Sequence, residues 1–281
     1  MFQENQNNPA KEAEAREKGG EMLVNEEFEK IGVHIEEYPE IYSRLVQLAQ
    51  GERSHFGDAA QMAEIIGILW PKFGLVSISK EKMCLGTDLH DVGKSGPVDA
   101  SPELRAIVSK MFTHDAFKGM ANLSIREALE KEKFKERFEM ERRLKDELKI
   151  DATEEKMIEF WRRHAEWGYD ILKKFQGGAI DEEVALIAGS HHIFQHKNPA
   201  HINLEKSQLA AIVLLAMVDE YQAFRSRGDA EHDVAISKLR EVLAKSHVGK
   251  RPREMAEKVV DILANSEDDL RQIFACPPMP S

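Results

Sequence analysis

A histidine, an aspartate and a lysine lie close together in the stretch GTDLHDVGKSG, residues 86–96. His90 and Asp91 are adjacent, and Lys94 follows three positions later. Imidazole nitrogen and carboxylate oxygen are ligands of divalent transition metals, and an ammonium group attracts anions. The helical pattern of KEKMCLGTDLHD stops at this point, so we expect a helix end at which Gly93 frees the chain. The stretch therefore raises the question of why a ligand-type histidine, a carboxylate and a lysine lie together at a helix end.

Four further histidines and one aspartate occupy the ends or apolar faces of other predicted helices. They are His55 in SHFGDAAQMAEIIG, His164 in FWRRHAEWGYDIL, His191 and His192 in VALIAGSHH, and Asp219 after LAAIVLLAMV. Each could instead have a structural role. A histidine at a helix end could interact with the helix dipole, a histidine among aromatic side chains could be a hydrogen-bonded core residue, and Asp219 could form an ion pair with Arg225 or Arg227. As a set, these imidazoles and carboxylates exceed the needs of one cation. Two ions that share a carboxylate account for the number, and such a pair activates water for attack on phosphorus.

The order of these residues resembles the HD superfamily of metal-dependent phosphohydrolases, and the longer set resembles its HD-GYP branch of cyclic-dinucleotide phosphodiesterases. LHDVGK is similar to the His-Asp-x-Gly-Lys signature of that branch, and HAEWGYDIL is similar to its His-x-x-x-Gly-x-x-Ile-Leu segment. SHHIFQHKNP and VDEYQAFRSR lie where the branch has its paired histidines and its last metal-binding aspartate. The resemblance covers about residues 50–230 and implies an HD-domain helical bundle.

The resemblance also implies a ligand set for two divalent ions. The ligands of the first ion would be His55, His90, Asp91 and Asp219, and those of the second would be Asp91 as the bridge, His164, His191 and His192. Asp91 and Lys94 would be the catalytic residues, with Lys94 reaching the scissile phosphate. Further phosphate-binding candidates are Arg162, Arg163 and Lys197. The donor types suit iron, manganese, nickel or zinc, and the resemblance to HD-GYP sites implies iron or manganese.

The loop after the paired histidines departs from the branch. IFQHKNPAH contains no Gly-Tyr-Pro, and Gln222 stands where the branch has a second aspartate after the last ligand. The expected activity is therefore hydrolysis of a phosphoester in a small phosphorylated substrate, for which a nucleotide or a cyclic dinucleotide is a candidate. Two alternatives stay open, namely an HD-fold di-iron oxygenase and a non-catalytic metal-containing signalling or binding module.

Helical periodicity dominates the chain, and clear period-two strand patterns are absent, so the sequence predicts an all-α fold. We expect an N-terminal tail and helical extension at 1–49, with residues 1 to about 20 disordered or frayed. The main domain is predicted at 50–265, with an insertion at about 99–155 that contains one charged helix at 124–149. A C-terminal tail is predicted at 266–281, although the pattern of EMAEKVVDILANSEDDLRQIF continues as a single helix to residue 274.

Composition restricts the classes of partner. The net charge is −11 without a block of basic residues, which argues against generic nucleic-acid binding. The longest apolar run has ten residues, too few to cross a bilayer. The two cysteines, Cys84 and Cys276, suggest no disulfide framework, and Cys84 is expected to be a buried free thiol. A cytoplasmic location is the default expectation, and the oligomeric state is left open.

Overall fold

The protein is described here by a computed structural model that covers residues 9–51, 54–74, 77–113, 117, 119–194, 204–227 and 230–275. Helices account for most of this part of the chain, which contains no β-strand, so the predicted all-α fold is confirmed. The helices are α1 (Pro9–Lys30), α2 (Pro39–Gly51), α3 (Ser54–Phe73), α4 (Lys80–Leu89), α5 (Pro102–Thr113), α6 (Ile125–Lys131), α7 (Arg137–Leu148), α8 (Met157–Lys174), α9 (Glu182–Gly189), α10 (Lys206–Gln222), α11 (His232–Lys245), α12 (Lys250–Ala264) and α13 (Glu267–Ala275). Single 3-10 turns cover Ile35–Glu37 and Val92–Ser95.

Buried apolar side chains form three groups. The first surrounds α10, whose residues from Leu209 to Val218 are all buried between α3, α11, α12 and α13. The second joins the N-terminal helices α1 and α2 to α4, α8 and α9. Because α9 packs against α4, α8 and α10, it links these two groups. Predicted ligands lie at the end of α4, within α8 and directly after α9. These three parts of the chain are therefore close together.

The third group lies within the predicted insertion and is formed by α5, α6, α7 and the beginning of α8. The prediction of one continuous helix over 124–149 was wrong, because α6 ends at Lys131 and α7 begins at Arg137. Between them Lys133 adopts a positive φ of 54°, and the ring of Phe134 stacks on Phe117. Packing of this half-buried ring on Phe117 accompanies the change of chain direction, and Phe138 of α7 is 74% exposed.

Two predictions for the chain ends also need correction. Helix α1 begins at Pro9, so residues 9–20 are helical, while residues 1–8 lie outside the described part. Proline at the first helical position and the Ala-, Glu- and Lys-rich sequence after it favour this helix. Near the C-terminus the predicted single helix divides at Asn265, and α13 occupies much of the predicted tail. The acidic first turn of α13 favours a new start there.

The described residues test the predictions about membrane spans and about Cys84, but not the one about Cys276. Within the described ranges, no helix has both the length and the apolar character to span a membrane. Cys84 is a buried free thiol, as predicted, and burial raises its pKa to about 11, which keeps the thiol protonated. Cys276 lies outside the described residues.

Candidate metal centre

Five of the predicted ligands lie together where three helices meet. His90 caps the C-terminus of α4, Asp91 precedes the 3-10 turn at Val92–Ser95, and His164 lies in the middle of α8. His191 and His192 follow directly after the end of α9. All of them except the half-buried His192 are buried, with at most 6% of each residue exposed. Polar groups in such surroundings require hydrogen-bond partners or a cation.

The donor atoms are within a few ångströms of one another. Nε2 of His164 is 2.9 Å from Oδ1 of Asp91, and Nε2 of His90 is 3.4 Å from Oδ2 of the same carboxylate. Nε2 of His164 is also 3.0 Å from Nε2 of His191 and 3.3 Å from Nε2 of His192. The donors form two overlapping groups, His90–Asp91–His191 and His164–His191–His192. The two groups share His191, and Asp91 of the first group lies beside His164 of the second, so these residues could hold a metal ion.

Three of the histidines are oriented by the same local device. In each, Nδ1 donates to the backbone carbonyl three residues earlier, at 2.5–2.6 Å. The pairs are His90 with Thr87, His164 with Trp161 and His191 with Ala188. In a neutral imidazole this bond places the proton on Nδ1 and leaves the lone pair on Nε2. Each ring therefore directs its metal-binding atom into the cluster.

The charge state of the cluster also fits a cation. Burial, followed by the neighbouring His90 and His164, lowers the pKa of His191 well below its usual range. The neutral imidazole is the form that coordinates a metal. Nε2 lone pairs only 3.0 Å apart repel each other, and a divalent ion between them would remove that repulsion. The residues present therefore fit a divalent metal.

The lowered pKa of His191 predicts how stability depends on pH in the metal-free protein. Unfolded histidine titrates near ~6.5, whereas folded His191 takes up a proton only at lower pH. Below about pH 6.5 the unfolded state therefore binds a proton that the folded state excludes, and the free energy of unfolding falls by up to ~1.4 kcal/mol per pH unit. Urea denaturation of chelator-treated protein between pH 8 and pH 5 measures this slope.

His191→Asn should remove that contribution, whereas His247→Asn, at an exposed position on the chain, should leave the slope unchanged. Equal slopes in the parent protein and in His191→Asn would contradict the prediction.

Lys94 lies at the edge of the cluster. The 3-10 turn places its Nζ 2.6 Å from Oδ2 of Asp91, and 13% of its side chain is exposed. The backbone N–H of Lys94 donates to the carbonyl of Asp91, which fixes the turn. The cation therefore lies beside the carboxylate and at the boundary between the buried donors and solvent, where it can meet an anionic group.

Two glycines let the helices approach closely enough to form the cluster. A Cβ at Gly93 would overlap the carbonyl oxygen of His164 and lie 2.5 Å from the amide nitrogen of Gly168. A Cβ at Gly189 would lie 2.8 Å from Cα of Tyr169 on the same helix α8. The interpretation of Gly93 as a source of conformational freedom was wrong, since its φ is not positive. Its role is to allow backbone contact with α8.

Two predicted ligands are not members of these groups. Asp219 lies near the C-terminal end of α10, is half-buried and belongs to neither donor group among the described residues. His55 lies at the start of α3, and its side chain is outside the described part. Gln222 donates to Asp58 of α3 at 2.6 Å, so it ties together the two helices that carry these residues. Their roles as ligands stay predictions.

The predicted phosphate-binding residues have different environments. Arg163 forms two hydrogen bonds with the carboxylate of Glu155, at 2.6 and 2.7 Å, so its guanidinium is engaged within the protein. Arg162 is half-buried, and its Nε has no hydrogen-bond partner among the described residues. Lys197 lies outside the described residues. Among the described members of this set, Lys94 is the one with an observed contact to the donor cluster, at Asp91.

Sequence reasoning missed several groups that shape the site. Phe112 of α5 contacts the ring of His164 edge-on at 5.6 Å between centroids and stacks on Phe160. The insertion therefore supplies a ring beside the cluster, a role that was not predicted for it from the sequence. Arg44 of α2, which is completely buried, contacts the segment after Lys94. A lone arginine on an amphipathic helix gives no sequence signal for such a role.

Comparison of the chain with family models, with curated proteins and with solved structures finds no match. The fold and the site together define an all-α protein with a buried histidine–aspartate donor cluster.

Proposed function

We propose that the protein is a metal-dependent phosphohydrolase of the HD type, with two divalent ions, that hydrolyses a phosphoester of a small phosphorylated substrate. The observation that carries this proposal is the convergence of four Nε2 atoms and one carboxylate from three helices in a buried position. Uncompensated burial of so many polar groups is unfavourable, and coordination of cations compensates it. Nucleotides and cyclic dinucleotides are the candidate substrates.

The donor set supports a choice of metal. Nitrogen and carboxylate oxygen donors suit iron, manganese, nickel or zinc better than magnesium or calcium, which prefer oxygen. We propose iron or manganese. A bound pair of such ions would supply a hydroxide nucleophile at neutral pH and polarise the phosphoryl oxygens.

The side chains then have distinct tasks. Asp91 presents one oxygen toward His164 and the other toward His90 and Lys94, which supports its proposed role as the ligand shared between two ions. Lys94 would bind a phosphate oxygen and stabilise the negative charge that develops on it. The carbonyl bonds of the three buried histidines keep Nε2 directed at the ions.

The proposal is tested with protein purified without oxygen. We expect metal analysis to give two iron or manganese ions per chain, and the loaded protein to release product from a cyclic dinucleotide, a nucleotide or bis(4-nitrophenyl) phosphate. Full metal occupancy without release from any of these would contradict the proposal. Substrate-dependent oxygen uptake would instead favour the oxygenase, and tight ligand binding without turnover would favour the binding module.

Lys94→Gln provides a sharper prediction within this experiment. We expect kcat to fall by ~100-fold, since a charged contact to the developing oxyanion is lost. Lys94 is not a predicted ligand, so metal content should stay at two ions per chain. Lys110→Gln, at an exposed position on α5, is the matched control and should retain full turnover. Retention of parental kcat by Lys94→Gln would exclude the assigned role.

A further inference from the structure

The arginine at position 44 is buried completely and uses its whole hydrogen-bonding capacity. Its side chain has 0% exposure, on helix α2. The five N–H groups of a guanidinium match five contacts. Nε donates to Oε1 of Glu40 (3.3 Å), Nη1 to Oγ of Ser95 (3.1 Å) and to the carbonyl of Gly96 (3.0 Å), and Nη2 to the carbonyls of Pro97 (3.3 Å) and Val98 (2.9 Å).

Four of these acceptors belong to the segment that directly follows Lys94. Ser95 also donates through Oγ to the carbonyl of Val92 at 2.6 Å, so the same hydroxyl closes the 3-10 turn. Gly96 leaves the turn with a φ of +94°, which points its carbonyl toward the guanidinium. The turn that carries Lys94 is therefore fixed on its exit side by a single buried group.

A buried guanidinium is expensive to desolvate, and its position relative to Lys94 suggests what it does. The ammonium of Lys94 lies 2.6 Å from Oδ2 of Asp91, across the turn that leads into the segment held by Arg44. We propose that Arg44 is a positioning residue, which sets the place of the Lys94 ammonium beside Asp91. This inference rests on the proposed function in one respect, namely that Lys94 binds phosphate at the metal cluster.

The proposal requires arginine in particular. A lysine at position 44 would have three donors on a single nitrogen, and it could not reach acceptors spread over the side chain of Ser95 and the carbonyls of 96–98. Arg105 of α5 shares Glu40 with Arg44: its Nη1 donates to Oε1 of Glu40 at 3.1 Å, whereas the acceptors of the 95–98 segment bond to Arg44. Arg105 therefore offers a matched control that disturbs the same carboxylate and leaves the turn intact.

The test is a double-mutant cycle on full-length, metal-loaded protein, with inorganic phosphate as the probe and calorimetry as the readout. We expect Lys94→Gln to weaken phosphate binding by roughly tenfold, as for loss of one charged hydrogen bond. Arg44→Lys should weaken it by about fivefold with two metals still bound. In the double variant the effect should equal that of Lys94→Gln alone, because Arg44 acts through Lys94. Arg105→Lys should bind phosphate as the parent does.

Three results would overturn the proposal: unchanged phosphate affinity in Arg44→Lys, additive losses in the double variant, or no phosphate binding by the loaded parent protein. If Arg44→Lys does not fold, Ser95→Ala replaces it in the same cycle, with the same expected lack of additivity. Turnover is measured separately. If the protein turns over no phosphoester but the cycle is non-additive, the hydrolase proposal fails and the role of Arg44 stands. If the protein is active but the losses are additive, the hydrolase proposal stands and the role of Arg44 fails.

Discussion

Asp91→Asn is expected to reduce bound metal from two ions per chain to at most one and to abolish turnover. Asparagine has nearly the same shape, so the change removes the charge and one oxygen ligand while the packing is kept. Since even outer partners of metal ligands change affinity by 10- to 100-fold, we expect a loss of affinity of ~100-fold or more. Metal titration of the chelator-treated variant, followed by elemental analysis after gel filtration, measures it.

The physical reason is the position of the carboxylate between the donor groups. Oδ1 lies beside His164, and Oδ2 lies beside His90 and Lys94. Loss of its charge would leave neutral imidazoles and an ammonium group to face both cations. The matched control is Asp146→Asn on α7, whose side chain is 56% exposed, and it should bind two ions. Two tightly held ions in Asp91→Asn would rule out the carboxylate as the shared ligand.

Gly93→Ala is expected to destabilise the fold by at least ~3 kcal/mol and to prevent metal binding. The added methyl group would overlap the carbonyl oxygen of His164 and crowd the amide of Gly168. Both neighbours are backbone atoms of α8, so relief requires the helix to move away from the 3-10 turn. That movement would separate His164 from Asp91. Thermal unfolding and urea denaturation of the purified variant measure the loss.

Gly57→Ala is the matched control for this substitution. Gly57 lies within α3, and a Cβ there would meet nothing within 4 Å. Alanine is a better helix former than glycine, so this variant should be more stable by ~0.5–1 kcal/mol. Parental stability in Gly93→Ala would mean that the turn and α8 are not in backbone contact in solution.

The sequence was sufficient for the fold class and for the helices that carry the candidate ligands. Helical periodicity placed His90 at one helix end and His191 at another, and the structure brings both to Asp91 and His164. The helix boundaries were less predictable. Around Phe134 and at Asn265, tertiary packing and a favourable new N-terminus divide segments whose periodicity continues across the break.

Other parts of the site are not predictable from residue types. The carbonyls that orient the rings belong to Thr87, Trp161 and Ala188, and every residue has a carbonyl. The close approach at Gly93 depends on how two helices pack, and a glycine alone is equally compatible with a turn. The buried contacts of Arg44 join residues about fifty positions apart, which neither periodicity nor local motif encodes.

The carbonyl bonds of His90, His164 and His191 have a consequence for how a cation would enter. Each ring is held within its own chain segment, by an acceptor only three residues away, so its orientation does not depend on an ion. Most of the side-chain entropy that coordination would otherwise remove has been lost during folding. We therefore expect ions to exchange at this centre without unfolding and refolding, in contrast to small zinc modules that acquire their shape only with the metal.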